Sequence, residues 1–133
     1  MNLNVKRFII LFTLFILILT PITVSAYSKS YSFDIGYRVV GKTKFNLKAK
    51  TTSTEVTADT YYANGKKKKS KSSYKVYLNK GLSSKATANI PANGLSYKKS
   101  FGKVKKGKYK VEVIKTKKGG KGDRVKGKGE IIQ

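Results

Sequence analysis

Residues 31–39, YSFDIGYRV, set Tyr31, Phe33, Ile35, Tyr37 and Val39 in alternation with Ser32, Asp34, Gly36 and Arg38. Successive side chains leave a strand on opposite sides, so an apolar residue at every second position marks a strand with one face buried and one wet. The same period recurs outward from this run. After a break at Gly41, Phe45, Leu47 and Ala49 alternate with Lys44, Asn46, Lys48 and Lys50. A threonine-rich run puts Val56, Ala58, Thr60 and Tyr62 on one face and ends at Asn64-Gly65. Tyr74, Val76 and Leu78 mark a further strand, and Ala86, Ala88 and Ile90 a weaker one before Pro91. Leu95–Val104 is less regular. The clearest strands carry Tyr109, Val111 and Val113, then Val125–Ile131 beyond a Gly119-Gly120 turn. No segment has apolar residues at helical spacing. The sequence predicts an all-β fold, an antiparallel β-sandwich of about seven strands.

The N-terminus reads as a targeting segment. Lys6 and Arg7 precede an apolar run, Phe8–Leu19, and Val24-Ser25-Ala26 forms a small-residue cleavage signal. The run is short for a membrane span, which needs about 20 residues. Residues 1–26 are therefore expected to be a cleaved signal peptide, with an uncleaved anchor as the alternative, and residues 27–133 a single exported domain. The chain has no cysteine, hence no disulfide and no lipid-modified thiol. KGKGEIIQ at the C-terminus shows no hydrophobic tail or sorting signal, so retention at the cell surface is expected to be non-covalent.

Charge offers the contact. The formal net charge is +24, from 30 lysines and arginines against six acidic residues, and the only arginines are Arg7, Arg38 and Arg124. Lysine is a hydrated point charge, whereas arginine presents a planar fork for bidentate readout. Such a composition suits diffuse attraction to a polyanion and only non-specific contact with nucleic acid.

VKKGKYKVEV (Val104–Val113), followed by GDRVKGKGEI (Gly122–Ile131), resembles the closing hairpin of immunoglobulin-like and fibronectin-type modules of secreted bacterial proteins. The resemblance implies an immunoglobulin-like sandwich in which Tyr109 sits at a sheet corner, its hydroxyl bonded to nearby backbone. Val111 would take the place held by cysteine in antibody domains. Sandwiches of this kind host many roles, so the likeness implies no particular function.

Catalytic chemistry finds little support. The absence of histidine removes the usual general base at neutral pH and, with no cysteine, the common transition-metal ligands. The carboxylates Asp34, Glu55, Asp59, Glu112, Asp123 and Glu130 show no motif spacing. Glu112 is expected to face outward, across a hairpin from Lys126 or Lys128. No calcium loop appears, and the glycines at 119–122 lack the helix of a phosphate loop. No enzyme activity, cofactor or metal is expected.

The lysines are placed more suggestively. Lys44, Lys48 and Lys50 leave their strand opposite Phe45, Leu47 and Ala49, and Lys108 and Lys110 opposite Tyr109 and Val111. Arg124, Lys126 and Lys128 do the same opposite Val125. NGKKKKSKSSYK (residues 64–75) adds Lys66, Lys67, Lys68, Lys69 and Lys71 behind a turn signal, and a loop adds Lys98, Lys99, Lys103, Lys105 and Lys106. Lys117–Lys121 extends the list. Tyr74 and Tyr109 read as core residues, while Tyr61, Tyr77 and Tyr97 are candidate surface aromatics. The candidate polyanion contacts are thus Lys66–Lys69, Lys71, Lys98, Lys99, Lys105, Lys106, Lys108, Lys110, Arg124, Lys126 and Lys128.

For an exported protein the partners of matching charge are anionic cell-wall polymers such as teichoic acid, anionic lipid headgroups and extracellular DNA. The expectation is a non-catalytic protein retained at the envelope or matrix. A cationic antimicrobial or toxin-like protein and a protein-binding inhibitor or adhesin are the alternatives, and a solvated lysine loop without a partner is the plain reading of residues 64–75.

Overall fold

A computed structural model describes residues 26–117 and 122–133. Residues 1–25 of the expected signal peptide, and the expected Gly119-Gly120 turn, lie outside the described residues. Among the described residues nine strands follow one another: β1 (Ser28–Ile35), β2 (Arg38–Leu47), β3 (Thr51–Tyr61), β4 (Ser73–Lys80), β5 (Ser83–Ala86), β6 (Ile90–Pro91), β7 (Asn93–Lys103), β8 (Gly107–Lys115) and β9 (Arg124–Ile132). They form two packed antiparallel sheets, one in the order β1-β9-β3-β7 and one in the order β2-β8-β4-β5, with β6 also paired to β4. The predicted all-β sandwich is the observed fold.

Alternation builds the core between the sheets. Phe33, Ile35, Val56, Ala58, Val125 and Ile131 come from the first sheet, and Phe45, Tyr74, Val76, Leu78, Tyr109, Val111 and Val113 from the second. β3 also buries Thr52, Thr54 and Thr60. Their hydroxyls are satisfied inside, since buried polar groups need partners. Thr52 Oγ1 donates to the Lys50 carbonyl (3.1 Å), Thr54 Oγ1 meets the Tyr31 hydroxyl (2.7 Å), and Thr60 Oγ1 donates to the Ala92 carbonyl (2.8 Å).

Several sequence expectations need correction. YSFDIGYRV is not one strand: the chain leaves the first sheet after Ile35 and enters the second at Arg38. Tyr37 is 64% exposed, and Val39 and Val40 are exposed as well. Gly41 does not break β2, whose register instead shifts between Val40 and Lys44. Tyr62 is exposed beyond the end of β3. Ala86 and Ala88 face solvent because the chain leaves strand conformation between β5 and β6, where Thr87 turns inward and its hydroxyl accepts from the Val76 amide (3.1 Å). Leu95–Val104 belongs largely to β7, a full-length edge strand whose pattern is blurred by positive-φ glycines at 94 and 102 and by two register shifts against β3.

The last correction concerns the hairpin. β8 pairs with β2 and β4, whereas β9 pairs with β1 and β3. The two strands lie in opposite sheets and form no hairpin. Glu112 is therefore not across from Lys126 or Lys128; it is buried and bonded to Arg38. The Tyr109 hydroxyl does bond nearby backbone, donating to the Lys105 carbonyl at 2.6 Å.

Candidate anion-binding surface

The two ends of the sandwich differ in how their charge is met. One end gathers the close of β3, the start of β4, the close of β8 and the start of β9, as the pairings Tyr61–Arg124 and Tyr74–Lys115 show. NGKKKK emerges here. Gly65 takes φ of +86°, a conformation that side chains resist, and the turn closes through Tyr62 N–H to the Lys66 carbonyl (2.8 Å) and Gly65 N–H to the Tyr62 carbonyl (3.0 Å). The predicted turn is present, but much of its charge is spent internally. Lys71 Nζ donates to Asp59 Oδ1 at 2.6 Å, Lys67 Nζ lies 3.5 Å from Asp59 Oδ2, and Lys68 Nζ is paired with Asp123 while resting over the Tyr62 ring. Lys66 and Lys69 remain exposed, with no ion pair among the described residues.

Asp59 explains this convergence. Burial alone would raise its pKa, yet the Lys71 hydrogen bond, the Thr60 amide and the charges of Lys71 and Lys67 outweigh burial and hold it below the ordinary carboxylate value. Asp123 is also buried, and its carbonyl accepts from the buried Lys115 Nζ (3.2 Å). These lysines act as structural counter-ions.

On β9, Arg124 and Lys126 are likewise partnered. Arg124 Nε donates to Asp34 Oδ1 (2.6 Å), and Lys126 Nζ lies 3.9 Å from Asp34 Oδ2 and over the Tyr61 ring. Lys128 shares a groove of about 390 Å³ with Glu55 and Glu130, which stand directly opposite one another on β3 and β9. Lys98 is the register partner of Glu55 on β7, and Lys99 lies over the Tyr97 ring. The outer face of the first sheet therefore carries both signs of charge.

The other end is different. Here the β2–β3 loop (residues 48–50), the β4–β5 turn (81–82) and the β7–β8 loop (104–106) come together. On the adjoining outer face of the second sheet, Lys44 stands opposite Lys110, and Asn46 opposite Lys108. Lys48, Lys50, Lys103, Lys105, Lys106 and Lys80 complete the group, and all are exposed. Glu112, the carboxylate of that sheet, lies further along β8 with its charge met by Arg38 Nε at 2.8 Å.

The backbone beneath these lysines is tied down. The Gln133 side-chain amide accepts from the Lys48 amide (3.0 Å) and donates to the Lys48 carbonyl (2.8 Å). Val104 N–H donates to the Lys50 carbonyl (3.1 Å), Tyr109 holds the Lys105 carbonyl, and Lys80 Nζ holds the Lys106 carbonyl (2.9 Å). Gly107 makes room for Lys80, since a β-carbon there would meet Lys80 Cε at 2.6 Å. A pocket of about 330 Å³ lies beside the loops, lined by Tyr27, Asn46, Lys48, Lys50 and Gln133. Fixed backbones carrying exposed lysines suit a phosphate-bearing polymer or surface, which asks for charge density more than for exact side-chain geometry.

The structure thus divides the candidate residues. Lys105, Lys106, Lys108 and Lys110 come together at the lysine-rich end. Lys66–Lys69 and Lys71 stand at the opposite end, and Lys98, Lys99, Arg124, Lys126 and Lys128 belong to the first sheet. Lys44, Lys48, Lys50 and Lys80 join the first set, and the pairing of β2 with β8 is the signal that unites them. Among the described residues no helix is long and apolar enough to cross a membrane, and no three acidic or metal-ligating side chains cluster to hold a metal ion. Compared with protein families, curated proteins and solved structures, the chain matches none.

Proposed function

We propose that the chain is a secreted, non-catalytic cationic β-sandwich retained at the cell envelope or matrix by lysine attraction to a polyanion. The lysine-rich end is the contact. One observation carries this reading: Lys44 and Lys110 are direct cross-strand partners beside Lys108, with the nearest carboxylate of that sheet already bound to Arg38. Like charges opposite one another on a sheet cost free energy. A bound polyanion relieves that cost. Each lysine near an anionic surface contributes about 1 kcal/mol, so a group of this size suffices at low salt.

Co-sedimentation of residues 27–133 with bacterial cell envelopes across a salt series tests the reading, because attraction of this kind weakens as salt screens it. Replacing Lys105, Lys106, Lys108 and Lys110 by serine is expected to abolish most binding, and replacing Lys66 and Lys69 to reduce it modestly. Binding indifferent to salt, or equal losses in the two variants, would overturn the assignment.

A further inference from the structure

Leu82 stands at the lysine-rich end with its whole side chain in water, at 108% relative exposure. It follows Gly81, whose φ is +57°, in the tight turn between β4 and β5. The turn is braced. Lys80 pairs with Ser83 across the ladder, Ser84 Oγ donates to Asn79 Oδ1 (2.7 Å), and Lys80 Nζ ties the hairpin to the Lys106 carbonyl (2.9 Å). Among the described residues the other large exposed hydrophobics, Tyr37, Val39, Val40, Tyr62 and Leu95, all belong to the opposite half of the sandwich. Single exposed apolar residues are ordinary on protein surfaces. A leucine held at a rigid tip between Lys80 and Lys85, and beside Lys105 and Lys106, is a more specific arrangement.

We infer that this end docks on a bilayer bearing anionic headgroups, with Leu82 entering the headgroup–acyl boundary and the surrounding lysines meeting lipid phosphates. The inference rests on the polyanion reading above and names the polyanion as a lipid surface. A soluble phosphate polymer uses the lysines alone; only a bilayer also offers an apolar phase to the leucine. Interfacial binding of this kind adds buried apolar area to attraction for anionic lipid. No segment spans the membrane in this mode, and a hairpin tip takes the place of an amphipathic helix.

The test uses residues 27–133, which contain all nine strands. The chain has no tryptophan, so Leu82→Trp provides a single reporter at the tip. Its emission is expected to shift to the blue on adding phosphatidylcholine vesicles that contain phosphatidylglycerol, and not with phosphatidylcholine alone. Leu82→Ser is expected to weaken binding to the anionic vesicles roughly tenfold, the scale of one leucine side chain leaving water. The same variant should leave binding to soluble polyphosphate unchanged, whereas Lys105→Ser with Lys106→Ser should weaken both. Equal vesicle binding by wild type and Leu82→Ser, with no blue shift, would overturn tip insertion. Polyphosphate binding without vesicle binding would overturn it too, while leaving the polyanion reading intact. Loss of both would overturn that reading itself.

Discussion

Tyr109 and Tyr74 both project into the core, yet only one of their hydroxyls finds a partner. The Tyr109 hydroxyl donates to the Lys105 carbonyl, while the Tyr74 hydroxyl is buried with no hydrogen bond among the described residues. The same deletion should therefore have opposite effects. Tyr109→Phe is expected to cost about 1 kcal/mol, the net worth of a typical hydrogen bond, and Tyr74→Phe to be neutral or stabilising. Urea unfolding midpoints at constant m check both signs, and equal losses would contradict the assignment. Tyr31 supplies a pH probe. Burial pushes its pKa up to about 12, against the lowering effect of its Thr54 hydrogen bond. The native state thus holds the phenolic proton more tightly than the unfolded chain, whose value is about 10. This contribution is fully present below about pH 10 and is lost as pH rises from there through 12. Tyr31→Phe is expected to flatten the alkaline limb of the stability profile in urea melts between pH 9 and 12. Asp59 acts in the other direction. Its lowered pKa adds stability above the ordinary carboxylate range, and that stability disappears as acid protonates the folded carboxylate.

At the scale of the element, β9 is a central strand with glycine at two inward positions. A β-carbon on Gly127 would meet the Thr57 carbonyl oxygen and Ala58 Cβ at 2.6 Å and the Phe33 ring at 2.7 Å. One on Gly129 would meet the Tyr31 hydroxyl at 2.7 Å. The aromatic rings of β1 lie across the glycines and fill the space their side chains leave, a known means of stabilising glycine in a sheet. Gly127→Ala is expected to cost about 2 kcal/mol, because backbone as well as side chains must move, within the usual range for overpacking. A thermal melt of the variant checks this, and an unchanged midpoint would refute the packing argument. The same strand shows what the sequence could disclose. Period two located β3, β4, β8 and β9, because each packs one face on a single core. It misread YSFDIGYRV, because a chain that changes sheets at Gly36-Tyr37 can keep its alternation on both sides of the crossing. It misassigned Glu112, because adjacency in sequence suggested a hairpin where β8 and β9 belong to opposite sheets. The lysines of the candidate surface were legible as outward-facing residues. Their division into paired and unpaired sets was not, since it depends on which carboxylate each strand brings near.

Across the whole molecule that division makes equal changes of charge act oppositely. The protein carries a formal charge of +24, and such an excess opposes the compact state by self-repulsion. Lys105, Lys106, Lys108 and Lys110 stand on the second sheet and its adjoining loop, where the sheet's carboxylate, Glu112, is already bound to Arg38. Lys67, Lys68 and Lys71 instead neutralise Asp59 and Asp123, both buried. Replacing the first four by serine is expected to raise the melting temperature at low ionic strength. The gain should shrink as salt shortens the screening length, which is about 10 Å at 0.1 M. Replacing the second three by serine is expected to lower it, by about 3 kcal/mol of stability, since the buried Asp59 loses both Lys67 and Lys71. Binding should reverse the order. The first variant, though more stable, is expected to lose its salt-sensitive attraction to anionic vesicles, and the second to retain most of it wherever it stays folded. Calorimetry at low and moderate salt, run beside vesicle sedimentation, reads both quantities on the same samples. A solvated surface with no partner would give the stability changes alone. A stability gain coupled to a binding loss would mean that the unbalanced charge is kept at that end, against the interest of the fold, for something outside it.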